Sequence, residues 1–208
     1  MGDAVITVLL VDDHSLVRRG FRRLLEDDPQ IRVVAEASDG HDAVEAAERL
    51  RPSVVVMDFA LPSMNGAVAT RHILKSCPET VVLILSMHSE PSYVRTCLDA
   101  GASGYLLKNA LDLELVEGVK RVAAGERVLD PRLGLIGEAK DKPVLTTREL
   151  EVLQLIVNGK SNREIATVLG LSVNTVAVHR ANVMQALGIH NTAELVVYAI
   201  REGLVSIA

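Results

Sequence analysis

Five polar residues stand at the ends of successive apolar runs. Asp12 and Asp13 follow Ile6–Val11 (ITVLLV), Asp58 follows 54–57, Ser86 closes Val81–Ser86 (VVLILS), and Lys108 follows 105–107. Carboxylates brought together repel one another unless a cation lies between them. An all-oxygen set with room for water suits Mg²⁺ better than a soft metal. One of these carboxylates can then attack a phosphoryl group and form an acyl phosphate. The metal and Lys108 would offset charge on the transferred oxygens, and Ser86 would add a hydroxyl donor. An Asp after a strand is often only a helix cap, and for Asp13 taken alone that explanation is the better one. The recurrence at successive strand ends is what points to chemistry.

The elements that must position these residues are legible in the spacing. Continuous apolar runs such as Ile6–Val11 suit strands buried on both faces. Ile31–Ala37, 54–57, Val81–Ser86 and 105–107 are further strand candidates. Between them, helical periodicity marks 16–25, the stretch after Asp39, 65–75, 91–100 and 113–123, with Pro91 at a first turn and Gly101 and Gly125 as stops. Five strands alternating with five helices predict a flavodoxin-like parallel sheet covered on both faces and wound right-handedly. Ligands of such a sheet sit at the carboxyl ends of its strands, where the five polar residues fall.

Composition narrows the rest. The chain has 208 residues, 49% of them hydrophobic and 24% charged, which suits one large domain or two small ones rather than a disordered chain. The longest apolar stretches, 5–11 and Val81–Ser86, are strand-length and far too short to span a bilayer. No secretory signal is visible. The two cysteines, Cys77 and Cys97, give no disulfide framework, so a reducing, cytoplasmic setting is expected. Five aromatic residues are too few for a binder that stacks single-stranded bases. The net charge of −5 lies entirely in residues 1–125; residues 126–143 and 144–208 are each neutral. Residues 126–143 mix charges with Pro131, Gly134, Gly137 and Pro143 and read as a linker.

Residues 144–208 are helical by pattern. Thr146-x-x-Glu149, Ser161-x-x-Glu164 and Asn191-x-x-Glu194 each open a helix, and Ser172 caps another running to Leu187. The tight Gly170-Leu171 link between two of them gives helix-turn-helix spacing.

VDDHSLVRRG, VVVMDFALPSMNG, ILSMH and GASGYLLK resemble the receiver domain of two-component response regulators over residues 5–125. The resemblance implies Asp58 as phosphoacceptor and Mg²⁺ held by Asp12, Asp13, Asp58 and the backbone carbonyl of Ala60. It implies Ser86 and Lys108 as phosphoryl contacts, Tyr105 as the aromatic that moves with Ser86, and a sensor histidine kinase as donor. Haloacid-dehalogenase-type phosphatases also form an aspartyl phosphate but carry a second Asp two residues on. That position is Ala60 here, so turnover of outside substrates is not expected.

LTTRELEVLQLIVNGKSNREIATVLGLSVNTVAVHRANVMQALG resembles the DNA-binding domain of LuxR-type regulators, and the two together give the NarL/FixJ layout. This implies a recognition helix over 172–187 packed through Val176, Val183 and Leu187. Asn174, Thr175, Val178, Arg180 and Asn182 would meet double-stranded DNA, with Asn162 and Arg163 at the backbone. His179 is expected to pack rather than read bases. The helix over 192–202 offers Leu195, Val196 and Ala199 either to the seam of a phosphorylation-dependent homodimer or, in a monomer, to packing on the bundle. The family often has Lys where this chain has Ala177 and Ala186. A neutral domain fits a DNA reader poorly, so a phosphorylation-controlled protein-interaction module is the competing expectation.

Overall fold

The computed structural model describes residues 5–108, 112–133, 145–202 and 204–205. The first part alternates β1 (Ile6–Val11), α1 (Ser15–Glu26), β2 (Ile31–Ala37), α2 (Gly40–Leu50), β3 (Val54–Asp58), α3 (Gly66–Ser76), β4 (Val81–Ser86), α4 (Pro91–Asp99), β5 (Gly104–Leu107), α5 (Asp112–Ala123) and β6 (Val128–Leu129). The strands form one parallel sheet in the order β2-β1-β3-β4-β5-β6. The flavodoxin-like expectation holds, with one strand more than the sequence suggested. Val128–Leu129 fall at the start of the stretch read as a linker, yet they pair with Gly104 and Tyr105. Asp130 secures this edge: its buried carboxylate accepts the Leu107 amide at 3.0 Å and the Arg132 side chain at 2.6 Å. The remainder of that stretch, with Gly134, Gly137 and Pro143, lies outside the described residues.

Strand alternation divides the core. Val8, Leu10, Val54, Val56, Leu83 and Leu85 pack with Leu115, Val119 and Val122 on one face. Leu9, Val11, Val55, Met57, Val82 and Ile84 face α2, α3 and α4 on the other. This second cluster does not stop at the sheet. It continues without a break into Leu150, Leu153, Ile165, Val176 and Leu195 of the C-terminal helices and into Val205 beyond them.

Those helices are α6 (Thr147–Val157), α7 (Asn162–Leu169), α8 (Val173–Leu187) and α9 (Thr192–Arg201). Thr146 and Ser161 form complete capping boxes with Glu149 and Glu164, and the Ser172 and Asn191 side chains cap α8 and α9. Gly170 and Gly188 end α7 and α8 at φ 64° and 65°, the left-handed region that glycine enters without strain. α6 is buried from Leu150 to Ile156, Glu151 and Gln154 included, so it is the central helix of this half. Among the described residues no helix is long and apolar enough to cross a membrane.

Candidate functional site

The ends of β1, β3, β4 and β5 meet at one rim. Asp58 is 2% exposed and is held from two sides: Lys108 Nζ lies 2.6 Å from Oδ2, and the Ala60 amide donates to Oδ1 at 3.1 Å. Lys108 Nζ also lies 2.8 Å from Asp12 Oδ2, so one ammonium bridges two buried carboxylates. Burial pushes the Asp58 carboxyl up to about 6 and the neighbouring Asp12 charge adds to this, while Lys108 opposes it. Burial works against the charge of Lys108 as well, but Asp58 and Asp12 outweigh it and raise its pKa. The ammonium therefore stays charged, and Asp58 is a carboxylate kept reactive by poor solvation.

Asp12, Asp13, His14 and Asp58 each bring a ligand atom within 4.8 Å of the others. Asp13 Oδ1 is buried without a hydrogen bond, and its near neighbour is His14 Nδ1 at 2.6 Å, an ion pair when the imidazole is protonated. A carboxylate oxygen without a hydrogen bond beside two buried carboxylates fits a hard divalent cation. His14 is the member that the sequence reading missed. It directly follows the two aspartates, and its side chain is 70% exposed at the edge of the group.

Ser86 Oγ, 1% exposed, accepts the His88 amide at 3.1 Å. Tyr105 is fully buried and donates its hydroxyl to the His88 carbonyl at 2.8 Å; burial raises its pKa, so that hydroxyl remains a donor. Both residues thus converge on one peptide segment. The His88 ring stacks on Tyr93 at 4.1 Å, and both stand edge-on to Phe59, the residue after Asp58. The Tyr93 hydroxyl then donates to the Ile200 carbonyl in α9 at 3.0 Å. The rim is joined to the C-terminal half by this short chain of contacts.

A second set of contacts runs beside it. Asn65 caps α3 through the Val68 amide and donates to the Leu204 carbonyl at 3.2 Å. Asn158 donates to the Pro62 carbonyl at 2.6 Å, and His72 lies 2.8 Å from Glu151. Arg148 meets the other Glu151 oxygen at 2.5 Å. Burial raises the Glu151 pKa, but His72 and Arg148 outweigh it and hold this carboxylate below its ordinary range. A Cβ at Gly66 would stand 2.2 Å from the Asp58 carbonyl oxygen, so only glycine lets α3 start directly against the phosphoacceptor candidate.

In the C-terminal half, Arg163, Asn174, Thr175, Val178 and Asn182 are exposed as expected. Arg180 and Asn162 are not free. Both are half-buried; the Arg180 guanidinium donates to Asn162 Oδ1 at 3.3 Å and to Thr192 Oγ1. The long arginine stem reaches back across the bundle to the starts of α7 and α9. His179 is half-buried with Nδ1 enclosed and unpaired, which is a packing position. Leu195 and Ala199 are 0% exposed and belong to the core rather than to a seam, because their face of α9 turns toward α6. Val196 is half-buried, and Val197, at 65%, is the exposed large apolar residue among the described side chains of that helix.

A family model of the response regulator receiver domain matches residues 8–120, and one of the luxR family of bacterial regulatory proteins matches 143–199. The chain is a NarL/FixJ-type response regulator. This regulator is 38% identical to the transcriptional regulatory protein DegU of Brevibacillus brevis, with 97% of this chain and 96% of DegU covered. It is 37% identical to the oxygen regulatory protein NreC of Staphylococcus carnosus, with 95% and 98% covered. The crystal structure of ChrA, a response regulator of a heme-sensing two-component system, aligns at a TM-score of 0.54 with 33% identity over 97% of this chain and 99% of that one. The RcsB–DNA complex aligns at 0.61 with 26% identity over 93% and 97%.

Proposed function

We propose that this response regulator accepts a phosphoryl group on Asp58 from a sensor histidine kinase and that the modification controls binding of its C-terminal domain to double-stranded DNA. The observation that carries this reading is the buried Asp58–Lys108–Asp12 arrangement at the sheet rim. An Asp58 carboxylate oxygen attacks phosphorus, the P–N bond to the kinase histidine breaks, and the imidazole nitrogen leaves with the bonding electron pair. Lys108 holds the Asp58 oxygen and offsets charge on the incoming group, and Ser86 Oγ–H donates to a phosphoryl oxygen. Asp12, Asp13, Asp58 and the Ala60 carbonyl would hold Mg²⁺, which supplies charge neutralisation at the phosphoryl oxygens. With Ala60 in place of a general acid, the chemistry is confined to self-phosphorylation and its hydrolytic reversal.

The working division is a receiver over 1–125, a connector over 126–143 and a DNA-binding unit over 144–208. DNA as the partner implies action in the cytoplasm. When Ser86 is recruited to the phosphoryl group, the amide of His88 loses its acceptor. The aromatic contacts from His88 through Tyr93 to Ile200 then loosen the hold on α9, favouring a homodimer with two DNA-reading helices. Arg163, Thr175, Asn174, Val178 and Asn182 are the DNA contacts; Asn162 and Arg180 join them only by releasing each other. Acetyl phosphate with Mg²⁺ should raise duplex affinity or oligomer size for wild type and leave Asp58→Asn unchanged; an equal response of both proteins defeats the proposal.

The second reading, a phosphorylation-controlled protein-docking module, is favoured by one observation. The C-terminal half has no net charge, and α8 exposes Val173 and Val178. Binding to random duplex that weakens steeply with salt supports the first reading, and no binding at low salt supports the second.

A further inference from the structure

The outer stripe of α8 has an unusual composition for a surface meant to meet a polyanion. Successive residues on one line of the helix, Asn174, Val178, Ala181 and Gln185, are all exposed, Val178 at 58%. Ala177 and Asn182 flank them and are exposed too. The one Lys or Arg of α8 is Arg180, and its guanidinium is bonded to Asn162 and Thr192 rather than presented outward. The opposite face, Val176 and Val183, is fully buried, so the helix cannot roll to offer a different stripe.

We infer that α8 selects A·T base pairs, with Val178 and Ala181 seated against thymine C5-methyl groups and Asn174 and Asn182 reading adenine. This rests on the DNA-binding reading above and adds the sequence class that the stripe recognises. Guanine is read in the major groove by a paired Arg or Lys donor on its O6 and N7, and the outer stripe has none to give. The thymine methyl is the apolar group of that groove, and it rewards contact with an aliphatic side chain. A carboxamide matches the donor and acceptor pair of adenine N6 and N7. With Arg163 and Lys160 exposed at the start of α7 for the phosphates, base contacts carry a larger share of the affinity than in a lysine-rich reader.

The test is selection by the full-length, phosphorylated chain from a randomised duplex pool, followed by titration of the selected duplex with each thymine replaced by uracil. The expected result is a selected core rich in A·T pairs, with one or two uracil substitutions each weakening binding about three- to fivefold. Val178→Ala should lose the response to those uracils, and it should weaken binding of the selected duplex by more than it weakens binding of unselected DNA. Because Val178 is on the surface, an unfolding midpoint equal to wild type confirms that the variant is folded. Selection of G·C-rich cores, or indifference to every uracil, overturns this inference and leaves the DNA-binding reading standing. Enrichment of no duplex at all overturns both.

Discussion

Asp12, Asp58 and Lys108 are charged groups packed in a space nearly closed to water, whereas the outer stripe of α8 is open to solvent and carries no formal charge. Both surfaces are proposed to meet phosphate, so the contrast is informative. A single phosphoryl group made covalent at one atom needs fixed, desolvated charge, because the same dipoles act more strongly where water is excluded. A duplex offers many phosphates over a long surface, and a reader with little charge must rely on shape and base edges. The pocket should therefore be brittle to substitution and the stripe tolerant of it.

The sharpest test of that brittleness is Lys108→Ala. It leaves Asp12 and Asp58 buried together without a cation, a loss that should cost about 3 kcal/mol of unfolding free energy in divalent-free buffer. Added Mg²⁺ should recover part of it, and Asp58→Asn in the same background should recover part without metal. Single alanines at Asn174, Val178 or Asn182 should stay within about 0.5 kcal/mol of wild type. Denaturant titration of these variants measures both sides of the contrast; comparable losses on the two surfaces would erase it.

Gly66→Ala probes the same pocket through the backbone. The new methyl must displace the Asp58 carbonyl or the first turn of α3, at a cost of about 1–3 kcal/mol. Phosphorylation by acetyl phosphate should slow together with the loss of stability, because the carbonyl belongs to the reacting residue.

The pocket was readable from sequence because each of its residues ends an apolar run, and a parallel sheet brings all such ends to one rim. Asp12, Asp58, Ser86 and Lys108 needed no distant information. The contacts between the two halves did not have that property. Glu151 and Gln154 look like solvent-facing residues of an amphipathic helix, and only the arrival of α3, with Asn65 and His72, shows them to be buried. β6 is two residues long inside a stretch rich in Gly, Pro and charge, too short to show a period. Arg180 lies at the margin of the outward face by helical spacing, and the reach of its side chain decides the outcome. Leu195 and Ala199 fitted a dimer seam or the bundle equally well for a related reason: an apolar stripe announces burial but not what buries it.

The joint between the halves gives a pH signature that neither surface alone provides. His72 and Arg148 hold Glu151 ionised below its ordinary value of 4.5. A depressed carboxylate contributes stability that is present above the ordinary value and lost as pH falls through the folded value. Wild type should therefore weaken below about pH 4.5, and Glu151→Gln should show a flatter acid limb together with a loss of about 2 kcal/mol at neutral pH. Thermal unfolding across pH checks both. A variant with the wild-type acid limb would show that the His72–Glu151–Arg148 group is not what ties the halves together.

The smallest expected effect bears most directly on the neutral stripe. Ala177 is exposed beside Val178 and is one of the positions where the LuxR-type pattern often carries lysine. Ala177→Lys should add one phosphate contact without touching the base-reading line. Its affinity for all duplexes should rise together, by about three- to tenfold at moderate salt, and the slope of log affinity against log salt should steepen by about one. Preference for A·T over G·C duplexes should stay at its wild-type ratio, because added charge strengthens every sequence alike. If the lysine instead shifts selection toward guanine, the stripe reads bases by whatever donor it is given, and the division between a charged pocket and a shape-reading helix is wrong at that position. If it changes nothing, α8 does not approach a phosphate there, and the docking of this helix on DNA differs from the orientation its exposed residues imply.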